Sequence, residues 1–163
     1  MAGVSKGAFY VHYESKLSLI IDYVSTLDLD YADYFSSLPS DTKASVMLIL
    51  MTEKITDVII NNIGFDLIKI IYEAQITKTI NTDAQLSYDR KLYQIYQQIF
   101  KLGVQQGEFK ATINIESVSN HFIMSIRGMT YEWCIRFPDF DLKDEIIKHF
   151  DLLLSGIKNS EYL

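Results

Sequence analysis

Cysteine, proline and glycine are all scarce in this chain of 163 residues, which holds one, two and seven of them. The single cysteine, Cys134, excludes an internal disulfide and a metal site built from several thiolates. So little proline and glycine argues against a turn-rich β fold and for long helices. No apolar run approaches the roughly 18 residues that a membrane span needs, and the first residues carry no secretory pattern. No membrane partner is expected, and a cytoplasmic protein is. Positive charge is in deficit, with 15 Lys and Arg against 21 Asp and Glu and a net charge of −6. The chain as a whole is therefore unsuited to coating nucleic acid, and any such contact has to come from a local patch.

Catalytic patterns are missing as well. His12, His121 and His149 lie far apart and outside any H-x-x-x-H spacing. There is no G-x-S-x-G, no phosphate-cradling glycine loop and no dinucleotide fingerprint. Asp28 and Asp30 fall on different helix faces and read as solvated carboxylates rather than a catalytic pair. Cys134 beside Trp133 reads as a buried structural thiol. The expectation is a protein that is not an enzyme and takes no cofactor or metal.

What the chain does have is helical period, in a composition 48% apolar and 22% charged that supplies a sizeable core. Ser15 opens a helix in which Leu17, Ile20, Ile21, Val24, Leu27, Tyr31, Phe35 and Leu38 recur at three- and four-residue steps, stopped by Pro39. Asp41 is expected to cap the next helix, whose Val46–Met51 stretch is apolar almost all round and belongs in the centre of a bundle. Asn61, Asn62 and Gly64 break it. Phe65 to Thr79 follows, with Phe65, Ile68, Ile71, Tyr72 and Ile76 on one face. Leu92, Ile95, Tyr96, Ile99 and Leu102 form the next stripe, which Gly107 ends. Residues 108–114 alternate like a strand but have no partner, and read as a loop. Val118, Phe122, Ser125, Met129 and Trp133 line a further helix. Asp141 opens the last one, where Ile146, Ile147, Phe150, Leu153, Leu154 and Ile157 make an unusually wide apolar face. The fold class is all-α, without internal repeats or linkers.

The opening stretch, Ala2-Gly3-Val4-Ser5-Lys6-Gly7-Ala8-Phe9-Tyr10-Val11-His12-Tyr13-Glu14-Ser15-Lys16, reads physically as a tight turn at Gly3, a short helix capped by Ser5, and a second cap at Ser15. Small residues at the start of a helix allow close approach to a DNA groove, and Lys6 reaches a phosphate or a base edge. Phe9 and Tyr13 face inward. Tyr10 and His12 either bond phosphates or cover the core. Lys16 adds a cation where free helix N–H groups attract phosphate. Residues 1–16 carry a net charge of +1, leaving −7 for the rest. With so little positive charge, DNA binding has to depend on a second copy of the site.

This ordered set of turn, recognition helix and S-K cap resembles the end of the helix-turn-helix in the tetracycline-repressor (TetR) family of transcriptional regulators. Ile126-Arg127-Gly128-Met129-Thr130-Tyr131-Glu132-Trp133, Phe137 to Leu142 and Phe150 to Ile157 look like the last two helices of that family's regulatory domain. The resemblance implies a TetR-like helical bundle with a two-helix dimerisation face at the C-terminus. Residues 1–16 would be a remnant of the helix-turn-helix domain, and 17–163 the ligand-binding and dimerisation domain. It implies DNA contact by Ser5, Lys6, Gly7, Ala8, Tyr10, His12 and Lys16, with a homodimer on operator DNA. The dimer face would hold Ser125, Gly128, Ile146, Phe150, Leu153, Leu154 and Ile157, although packing within one chain would equally use the wide last helix.

The resemblance also implies a cavity among the middle helices. Phe65, Tyr72, Tyr88, Tyr93, Tyr96, Phe100, Met124 and Trp133 are its candidate lining, suited to a largely apolar or aromatic small ligand. Aromatic stripes at this spacing also serve as plain core, and Glu73, if buried, would read a cation. The implied function is a ligand-responsive regulator, a repressor. The family places one complete helix and most of a second ahead of the turn at Gly3, and this sequence starts at Met1. The sequence as it stands is therefore expected to bind DNA poorly. The alternative is a dimeric ligand-binding or interaction module without DNA binding.

Overall fold

The structure, a computed structural model, describes residue 23, residues 26–79 and residues 81–160. Helix α1 covers 26–37 and ends in a bend at Leu38, just before Pro39. Helix α2 (Ala44–Asp57) runs on into a π-helical stretch, Val58–Ile63. Then come α3 (Phe65–Thr77), the single turn α4 (Asp83–Leu86), α5 (Lys91–Gln105), α6 (Ile115–Arg136) and α7 (Leu142–Ile157). The described residues are all-α. Their one extended pairing is an isolated bridge between Phe109 and Lys158, so the alternating segment after Gly107 is a loop.

Four helices close a ring, since α2 packs on α5 and α7 while α6 packs on the same two. Helix α3 lies against α6. A run of aromatic contacts threads this ring: Phe109 to Phe100 at 5.6 Å, Phe100 to Phe122 at 5.0 Å and Phe122 to Phe150 at 4.6 Å between ring centres. The first pair is tilted and the other two meet edge to face, contacts that add specificity to the apolar burial. Gly103 makes room for the spine, because a Cβ there would overlap the Phe109 ring and stand 2.9 Å from Ala44 Cβ.

Helix α2 is capped by a distant part of the chain. Lys43 is its first flanking residue, and its side chain does not cap the helix. Glu108, buried in the loop after α5, accepts from the Ser45 N–H at 3.1 Å and from the Ser45 hydroxyl, while Gln106 accepts from the Ala44 N–H at 3.1 Å. Asp41 is thus not the cap; the helix starts three residues later, where these two side chains meet its free N–H groups. Asp141 does cap α7, accepting from the Asp144 N–H at 2.9 Å, and Asn114 caps α6 through the Ser117 N–H at 2.8 Å.

Two helical faces are turned from their expected phase. Helix α6 buries Ser119, Phe122, Ile123, Ile126, Thr130 and Trp133, leaving Ser125 and Met129 only half-buried, because it has to serve α5, α7 and α3 at once. In α3, Ile76 is 67% exposed, since the helix turns left-handed at Lys78 and its last turn reaches past the bundle.

Candidate ligand cavity

The π-helical stretch widens the end of α2, with Gly64 N–H bonded to the Ile59 carbonyl five residues back at 2.9 Å. Such wide turns re-aim the side chains they carry. Here Ile59 and Ile63 line a cavity of about 140 Å³, together with Leu27 and Tyr31 of α1, Ile55 of α2, Ile68 and Ile71 of α3 and Ile123 and Ile126 of α6. Its polar lining comes from Tyr72, Gln75, Gln85, Arg90, Arg127 and Thr130.

Two arginines converge on one acceptor in this wall. Arg90 donates to the Gln85 carbonyl at 2.9 Å, and Arg127 donates to the same oxygen at 3.3 Å. Arg90 is also held in a two-pronged ion pair with Asp28 of α1, at 2.6 and 3.1 Å, with both side chains only 16% exposed. Asp28 is therefore not a solvated carboxylate; it ties α1 to the start of α5. Arg127 has no carboxylate partner among the described residues, and its guanidinium lies 5.8 Å from the centre of the Tyr93 ring. Among the described residues, two cations and one anion give this wall a net positive charge.

The tyrosines near the site are held neutral. Burial raises the phenol pKa of both Tyr31 and Tyr72 well above its ordinary value of 10.0, only partly offset by Arg90 and Arg127 respectively. Tyr72 donates to the Arg127 carbonyl at 2.8 Å, which fixes α3 to α6 beside the guanidinium.

Of the eight aromatic and Met residues expected around a ligand, Tyr72 lines this cavity. Tyr93, Tyr96 and Phe100 are fully buried core residues, Tyr96 sharing a 3.0 Å hydrogen bond with Thr52. Phe65 and Trp133 form an aromatic cluster with Phe137, their rings 5.4 Å apart and at right angles. Tyr88 and Met124 are exposed, and border a shallow depression with Asn120 and His121. Glu73 is exposed and lies off the cavity. Among the other polar lining residues, Gln75, Gln85 and Arg90 carry no local motif, and Arg127 and Thr130 fall in the 126–133 stretch without a ligand role being expected of them. The one available signal is composition: arginine occurs only three times in the chain, against twelve lysines, and two of the three stand in this wall.

Ser5, Lys6, Gly7, Ala8, Tyr10, His12 and Lys16 lie outside the described residues. Among the residues expected at a dimer face, Ile146, Phe150 and Leu154 are buried in the core of their own chain, and Leu153 and Ile157 are half-covered by it. Ser125 is half-buried and bonds the His121 carbonyl, while Gly128 is exposed with open space where a Cβ would stand. Around Gly128, Met124, Tyr131 and Ile135 are also exposed, at steps of three and four along α6. Among the described residues no helix is long and apolar enough to cross a membrane, and no group of three or more His, Cys, Asp or Glu side chains is placed to hold a metal. Searches of protein-family models, curated proteins and solved structures found no match to this chain.

Proposed function

We propose that the protein is a ligand-responsive transcriptional regulator of the tetracycline-repressor type, acting in the cytoplasm as a homodimeric repressor. In this account residues 17–163 sense a small molecule, and residues 1–16 face operator DNA once completed by the helices that the family places ahead of the turn at Gly3. Lys6 reaches the groove from a helix start kept narrow by Ser5, Gly7 and Ala8; Tyr10, His12 and Lys16 hold phosphates.

The observation that carries the proposal is the cavity's use of α1. Leu27 and Tyr31 line it, and Asp28 of the same helix is clamped to Arg90 in its wall. Helix α1 is the described helix nearest in sequence to the motif at residues 2–16. A ligand that favours one placement of α1 over another therefore biases the segment that reads DNA, by shifting populations between the two. The exposed stripe of Met124, Gly128, Tyr131 and Ile135 on α6 supports a second copy, which the low positive charge of residues 1–16 requires.

The test is to tag the protein at its C-terminus, express it from its own locus, crosslink it and sequence the DNA it holds. The expected result is enrichment of a palindromic site with half-sites about one helical turn apart. The second reading is a dimeric ligand-binding module without DNA contact, which the described lining of the cavity, residues 27–130, would serve equally. An absence of enriched sites selects it.

A further inference from the structure

The cavity has one feature that an apolar or aromatic ligand does not explain, namely the guanidinium of Arg127, which has no carboxylate partner among the described residues. We infer that the ligand of this cavity is a small organic anion, a carboxylate on a compact apolar body, with its carboxylate held by Arg127. This rests on the sensor role proposed above and adds the chemical class of the ligand.

The charge count comes first. Arg90 and Arg127 both lean on the Gln85 carbonyl, so two like charges share a wall, and Asp28 answers only one of them. Arg90 spends its donors on the two Asp28 oxygens and on that carbonyl. Arg127 spends one nitrogen on it, at the long distance of 3.3 Å, leaving most of its five N–H donors unused among the described residues. A planar guanidinium with a free edge matches a carboxylate with two parallel hydrogen bonds.

The site is also built to hold Arg127 in place. The Tyr72 hydroxyl grips its carbonyl at 2.8 Å, and the Tyr93 ring lies 5.8 Å from its guanidinium carbon. Tyr31, 3% exposed, also lines the cavity, and its hydroxyl has no hydrogen-bond partner among the described residues.

The remaining wall sets the body of the ligand. Ile55, Ile59, Ile68, Ile71, Leu92 and Ile123 surround the volume with branched aliphatic carbon. Cavities on the order of 150 Å³ hold a benzene ring. One ring or a short branched chain therefore fills the 140 Å³ here. Such a ligand places its charge on Arg127, and its apolar part stays out of water.

Matched pairs differing only in charge decide the matter. Benzoate and benzamide, and isovalerate and isovaleramide, are titrated by calorimetry into the full chain, into R127Q and into R127K. The acids are expected to bind and their amides to bind far more weakly. R127Q is expected to weaken the acids by roughly ten- to a hundredfold, and R127K to retain part of their affinity, with circular dichroism confirming that both variants are folded. Equal binding of acid and amide, or acid binding unchanged in R127Q, overturns the anion assignment and leaves the cavity as a ligand site. Failure of all four compounds to bind at millimolar concentration overturns the anion assignment and the sensor role together.

Discussion

Arg90 and Arg127 donate to the same carbonyl oxygen, that of Gln85, at 2.9 and 3.3 Å, and only Arg90 is matched by a carboxylate. The imbalance sits in the wall of a cavity that α1 helps to line. It makes Asp28 the single described counter-charge for two cations.

Replacing Asp28 by Asn removes the one carboxylate paired with an arginine of this wall among the described residues. Breaking a largely buried ion pair leaves the surviving charge desolvated, at a cost of about 3 kcal/mol. D28N is expected to unfold at a clearly lower urea concentration, and a carboxylate ligand is expected to restore part of the loss by pairing with the freed arginines. Urea titrations with and without benzoate measure both effects.

Glu108 acts on the fold in an analogous way, as the anion at the start of α2. E108Q keeps the size of the side chain and one acceptor but removes the charge from the free N–H groups around Ser45. The expected loss is about 1–2 kcal/mol, read as a lower Tm with unchanged helical content. An unchanged Tm would mean that Gln106 and solvent suffice as caps.

Alkaline pH tests the buried phenols. Burial raises the Tyr96 pKa above its ordinary 10.0, with the Thr52 hydrogen bond opposing the shift. The folded pKa exceeds the unfolded one, so this contribution is fully present below pH 10 and is lost as pH rises above it. Tyr31 and Tyr72 shift in the same direction. Stability measured by urea midpoint is expected to be flat between pH 8 and 9.5 and to fall steeply beyond, less steeply in Y96F.

The exposed α6 stripe predicts the behaviour of Gly128. No atom lies within 4 Å of a Cβ placed there, so the chain itself tolerates a side chain. G128R is expected to keep its fold and Tm within experimental error while converting a dimer to a monomer in light scattering. A dimer that survives G128R places the contact elsewhere.

Helix order was legible because it is written locally. The three- and four-residue steps through Leu92, Ile95, Tyr96 and Ile99, the punctuation at Gly64 and Gly107, and the Asp141 cap all reappear in the structure. The start of α2 was not, because its caps, Glu108 and Gln106, come from more than sixty residues away. The cavity was legible only through Tyr72. Aromatic spacing marks the core equally well, and Tyr96 and Phe100 went there. Arg90 and Arg127 escaped notice because their pairing with one carbonyl exists only once α4, α5 and α6 are packed. Asp28 looked solvated for the same reason.

The central claim, that the cavity holds a small carboxylate on Arg127, is tested most directly by native mass spectrometry. Wild-type protein and R127Q are purified from the protein's own source without denaturation, and each subunit's mass is compared with its sequence mass. The account predicts one small acidic molecule on each wild-type subunit, released on unfolding and missing from R127Q. Bare wild-type subunits, or the same adduct on both proteins, would contradict it.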